Sequence, residues 1–220
     1  MKKKLFATAQ DRISCATHAI GAAAAFAGGV LFLFRALRVG APTLALAAAM
    51  CFALSMLALY SASAIYHYYP GTVNSTGVKR LLRKMDHSMI YVLIAGSYTP
   101  FSLVLLPQPK GTRFCVALWA VAIVGILLKV LWINAPRILS TLIYLIMGWA
   151  VLFVAKDFAC VGQPCLTLVA LGGVCYSVGA VFYAIKKPNI SAEWTFHELF
   201  HLLILAGSAF HYLAVYLYVL

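Results

Sequence analysis

Histidines stand four residues apart in His197-Glu198-Leu199-Phe200-His201. On a helix that spacing puts both imidazoles on one face, where they can share one ion. A third imidazole, His67, closes the stretch Ser63-Ala64-Ile65-Tyr66-His67, and Asp86 and His87 follow about twenty residues later. Three imidazole nitrogens suit zinc and leave one tetrahedral position open, the arrangement of catalytic zinc. The same nitrogens also suit iron, copper or nickel. Asp86 could accept a proton from a water activated at such a centre. Ser63, one helical turn from His67 on the same face, could polarise a substrate carbonyl. Asp86 reads equally well as a helix N-cap. Glu198 completes a formal H-E-x-x-H, the signature of a zinc protease, and otherwise faces the headgroup layer.

These groups need a scaffold, and the composition says which kind. Of 220 residues 64% are hydrophobic and only 10% charged, against about a quarter charged in soluble domains. Such a chain needs lipid as its solvent. Apolar runs near 17–37, 43–66, 87–106, 114–133, 138–156, 165–186 and 197–219 are each long enough to cross a bilayer. The expected fold is therefore all-α: a single seven-helix transmembrane domain covering 1–220. Gly21, Gly28 and Gly29 in the first span and Gly172, Gly173 and Gly179 in the sixth are expected to let helices approach closely.

The net charge of +12 comes from basic residues between the spans. Their partners are anionic lipid headgroups, and nucleic acid is excluded by the lack of a basic stripe with interleaved aromatics. Twelve Lys and Arg fall on one side and five on the other. This places the N-terminus in the cytoplasm and the C-terminus outside, in the cell's inner (plasma) membrane. The run Lys79, Arg80, Arg83 and Lys84 is expected against headgroups on the cytoplasmic side. In this topology His67, Asp86 and His197 reach one membrane depth, a coincidence the helix directions could have denied.

The remaining polar residues have simpler expectations. His87 points about 100° away from Asp86 and should be interfacial. His211 lies roughly 15 Å deeper than His201 and should make an interhelical hydrogen bond. His18, at the start of the first span, could support a ligand from behind. Pro100 should kink the third span, with Ser97 and Thr99 serving freed carbonyls. Cys160 and Cys165 flank an outer loop and could form a disulfide there.

The stretches Ser61 to His67, Met85-Asp86-His87 running on to Ile94-Ala95-Gly96-Ser97-Tyr98-Thr99-Pro100-Phe101, and His197 to His201 with Gly207-Ser208 and His211 resemble the hemolysin III family. That family is the bacterial branch of the progestin and adipoQ receptor proteins. The resemblance implies seven spans, zinc on His67, His197 and His201, and water held by Asp86 with Ser63 nearby. Its pattern in the last span is H-x-x-x-H, which needs no glutamate and so weakens the protease reading. Where the family often has an acid and an asparagine before the first helix, this chain has Asp11 and Ser14. Members are associated with lipid-amide hydrolysis, membrane-fluidity homeostasis and cytolysis, and the zinc site resembles that of alkaline ceramidases. The leading expectation is a zinc-dependent hydrolase of membrane lipid amides or esters. The alternatives are a receptor-like sensor with structural zinc, a pore-forming cytolysin, and an intramembrane metalloprotease using Glu198.

Overall fold

Each helix turns bulky apolar side chains outward: Phe26, Leu37, Leu131 and Phe153 are all exposed. The interior mixes buried aromatics such as Phe32, Phe52, Tyr60 and Tyr91 with serines, histidines and small residues, a division that a hydrocarbon solvent allows. The computed structural model describes residues 9–71, 77–132, 134–158 and 161–220. Seven helices among them are long and apolar enough to span a bilayer. They are built on α1 (Arg12–Val39), α2 (Thr43–Tyr68), α3 (Gly77–Pro100), α4 (Lys110–Leu131), α5 (Arg137–Gly148), α6 (Gln163–Ile185) and α7 (Phe196–Tyr218), the third span running on past α3 to Leu105 and the fifth past α5 to Phe158. Packing runs α1–α2–α3–α4, α3–α5, α5–α6 and α6–α7, and α7 returns to α1, so the bundle closes on itself. α3 also touches α7.

Two spans differ from the hydropathy reading. α3 begins at Gly77 rather than at residue 87. Its first turns carry Lys79, Arg80, Arg83 and Lys84, which form helix readily but do not register as apolar. Asp86 therefore lies well inside a helix and caps nothing, contrary to the N-cap reading. The fifth span is not one helix. α5 ends at Gly148, a 3₁₀ segment follows over Trp149–Val154, and one helical turn closes at Phe158. Tyr98 of α3 explains the change: its hydroxyl donates to the Gly148 carbonyl and accepts from the Val151 N–H at 3.0 Å. A side chain thus serves backbone groups that the change of pitch releases within the membrane.

After Pro100 the third span continues as a π-helical segment, Phe101–Leu105. The Ser97 and Thr99 hydroxyls donate to Ile94 O (2.8 Å) and Ala95 O (2.9 Å). Small residues seat the interfaces. At Gly28 a side chain would collide with Tyr212, whose hydroxyl donates to the Gly28 carbonyl at 3.1 Å. Gly172 of α6 faces Gly207 and His211 of α7 at similarly close range. Gly173, expected among the contact glycines, instead has open space where a side chain would stand and lines a central cavity. His211 makes the interhelical bond expected of it, donating from Nε2 to Val169 O at 3.1 Å. Of the two outer-loop cysteines, Cys165 is a buried free thiol, and Cys160 lies outside the described residues.

Candidate metal centre

α2 ends at the site and α7 begins there. Lys79 finishes α2: its ammonium donates at 2.6 Å to the carbonyls of both Tyr66 and Tyr69 and lies 4.3 Å from the centre of the Tyr66 ring. It is 2% exposed, so it is a buried C-terminal cap and not the headgroup contact expected of it. α7 starts with a capping box. Thr195 accepts from the His197 N–H, and Glu198 Oε2 accepts from the Thr195 N–H and hydroxyl. Glu198 Oε1 accepts from Ser14 at 2.8 Å. Both oxygens of Glu198 are therefore engaged in holding helix ends, neither facing headgroups nor free to act as a base.

With those ends fixed, His67, His197 and His201 each present a ligand atom, and the three atoms lie within 4.8 Å of one another. The Nε2 atoms of His67 and His197 are 3.3 Å apart. His67 and His201 are 3% and 2% exposed. Three imidazoles this close, two of them buried, are a costly grouping unless a cation uses the lone pairs that face one another. The donor set fits a divalent metal of zinc's type.

The first turns of α1 hold this cluster from behind. Asp11 occupies the N-cap position of α1 yet makes no side-chain cap bond. Its carboxylate instead accepts from His67 Nδ1 at 2.9 Å, and its N–H donates to the His67 carbonyl at 3.2 Å. That bond holds the Asp11 carboxyl below its usual range. It also fixes the tautomer of His67 with Nε2 bare toward the cluster. Thr17 Oγ1 donates to Ser14 O and lies 3.4 Å from His201 Nδ1. His18 stacks face to face on His201, with centroids 3.6 Å apart and planes 5° from parallel. Both of its ring nitrogens are buried without a partner among the described residues.

Asp11, Ser14, Thr17 and His18 recur at helical spacing, a pattern visible in the sequence. Sequence alone gives Thr17 no role and Asp11 and Ser14 only a family position, because polar residues ahead of an apolar span look like solvent. Asp11→Ala should weaken metal binding about 10- to 100-fold. It should leave α1 intact, since no cap is lost. Metal titration and circular dichroism of the variant would check both.

Ser63 (1% exposed) and Asp86 (9%) are buried on the wall of a cavity of about 660 Å³ that also reaches His18, His197 and His201. The Ser63 side chain is a near neighbour of the Asp86 carboxylate. Beyond this polar end the cavity runs between apolar side chains such as Leu93, Phe101, Phe158 and Leu166. His87 is not purely interfacial: it lines the same cavity, and its Nε2 lies 3.9 Å from Asp86 Oδ2.

The profile of the family described as haemolysin-III related matches residues 6–212. The chain belongs to this family. It is 34% identical over 205 residues to Hemolysin-3 of Bacillus cereus, covering 93% of this chain and 89% of that one. It is 33% identical over 215 residues to the Hemolysin-3 homolog of Bacillus subtilis (strain 168), covering 97% and 96%. A more distant likeness, 25% over 171 residues, links it to the human monocyte to macrophage differentiation factor, over 77% of this chain and 69% of that protein. As a haemolysin-III related chain with seven apolar helices, it is a multi-pass protein of the bacterial plasma membrane.

Proposed function

We propose that this haemolysin-III related protein is a metal-dependent hydrolase of lipid amides or esters. His67, His197 and His201 would hold zinc at the cytoplasmic side of the membrane. The observation that carries this reading is the convergence of three imidazoles, two of which, His197 and His201, line the polar end of a cavity that Asp86 also lines and that turns apolar further in. Zinc in that position supplies Lewis acidity, which makes water acidic enough to act as a nucleophile at neutral pH.

The chain's own residues do the rest. The apolar cavity takes an acyl chain from the bilayer and brings its carbonyl to the His end. Asp86 accepts the proton of the attacking water. The bond between the carbonyl carbon and the leaving nitrogen or oxygen breaks, and Asp86 returns the proton to that atom. One lipid amide and one water thus give a carboxylic acid and an amine; an ester gives an acid and an alcohol. Ser63, which lines the same cavity as Asp86, would offer its hydroxyl to the carbonyl oxygen. Asp11 holds His67 from behind, and Thr17 lies against His201.

The test is detergent-purified protein assayed for zinc and for release of fatty acid from long-chain amides and esters. The expected result is about one zinc per chain and measurable acid release, with Glu198→Gln retaining activity because Glu198 is a capping residue. Protein that holds zinc yet cleaves no lipid would overturn the hydrolase reading and leave the metal as a pin between α2 and α7. Loss of cleavage in a folded Glu198→Gln variant would favour a protease-like base instead.

A further inference from the structure

One corner of the cavity holds two cations that the reaction above does not use. Lys129, in the last turn of α4, is 2% exposed. It donates to the Ser140 hydroxyl of α5. Arg83 of α3 lines the same cavity and acts on Lys129 electrostatically. Arg83, Lys129 and Ser140 line the cavity together with Asp86. Among the described residues neither cation is in a contact ion pair; Asp86, one turn beyond Arg83, acts on it electrostatically but not at contact distance. α5 opens at this corner: Pro136 is its N-cap with no side-chain cap bond, and Pro136 also lines the cavity. The positive end of a helix therefore adds to the two charges.

A buried ammonium with a single hydroxyl partner is expensive in a membrane span. A residue needed only to orient the protein would be cheaper out among the headgroups, where lysine can extend. Three sources of positive potential facing an internal cavity instead make a recess for an oxyanion. The position of the recess then defines the ligand. It lies on the same polar end as the histidines and Asp86, with the apolar length of the cavity on the other side. An amphiphile with its tail in the apolar part and its carbonyl at the histidines would carry its headgroup into this corner.

We propose that Arg83, Lys129 and Ser140 form a headgroup subsite, and that the protein's substrate is an amphiphile with a carboxylate or phosphate beyond its scissile bond. This rests on the hydrolase reading for the placement of the carbonyl, but the recess itself can be tested by binding alone.

The experiment compares N-palmitoylglycine, O-phospho-N-palmitoylethanolamine and neutral N-palmitoylethanolamine as ligands of the purified protein, by thermal protection, with the metal present and after chelation. Both anionic ligands should bind about tenfold tighter than the neutral one in either state. Lys129→Met and Arg83→Gln should each abolish most of that preference, and Lys129→Arg should keep it. Glycine and inorganic phosphate should protect at no comparable concentration, since they lack the tail. Equal binding of anionic and neutral ligands would overturn the proposal. So would a preference that survives both Lys129→Met and Arg83→Gln, or one that vanishes on chelation and so belongs to the metal. Protection by inorganic phosphate as strong as by the lipids would overturn the amphiphile assignment. A protein that binds as stated but hydrolyses none of the three defeats the hydrolase reading and not the subsite.

Discussion

His201→Ala is expected to bring the metal content of the purified protein from about one ion per chain to background, and lipid cleavage with it. His201 is buried and gives one of the three converging ligand atoms. Two imidazoles alone cannot complete a site that needs three protein ligands. The substitution also removes the ring on which His18 stacks, so some stability would be lost for reasons of packing. The two effects separate by chelation. Zinc at a hundredfold over its Kd should stabilise the wild type by about 2.7 kcal/mol, seen as a fall in Tm when chelator is added. The variant should melt at one temperature with or without chelator. A variant that keeps its zinc and its chelator-sensitive melting would remove His201 from the ligand set.

Asp86→Asn should be the complementary case, a loss of turnover without loss of metal. Asparagine keeps the shape and can still bond Ser63, but it cannot accept a proton from water. The expected fall in kcat is about 10² to 10⁴, with zinc content unchanged. The interior position of Asp86 in α3 makes this test clean. Were it an N-cap, the change would disturb a helix start, and lost activity could be blamed on structure. It caps nothing, so Tm should move little. An Asp86→Asn protein with wild-type turnover would mean that the carboxylate serves packing alone.

Much of the site was legible because its chemistry is written in side-chain type and spacing. His197 and His201 read as a pair at helical period. His67 and Asp86 fell at the matching depth once the spans were counted. What hydropathy could not show was anything whose meaning depends on a partner. Lys79 looked like a headgroup contact because lysine usually is one; only the packed structure has it closing α2 on two carbonyls. The start of α3 was misplaced because a basic helix turn and a basic loop have the same hydropathy. The break after α5 was invisible because its cause, the Tyr98 hydroxyl, sits some fifty residues away in sequence. Asp11 was read only as a family position, though it is the residue that aims His67. Its contact crosses 56 residues, and that between Ser14 and Glu198 crosses 184.

That last separation has a consequence for biosynthesis. Helices enter the membrane in order as the ribosome makes them, so α1 and α2 are inserted while α7 has yet to be translated. His67 and its brace Asp11 must wait, without their partners, for nearly the whole chain to follow. The three-histidine cluster therefore assembles only after residue 201 has been made. A ribosome that stalls before residue 201 leaves a bundle lacking its ligand set, and a quality-control protease could tell the complete product from the fragment by the looseness of that one end.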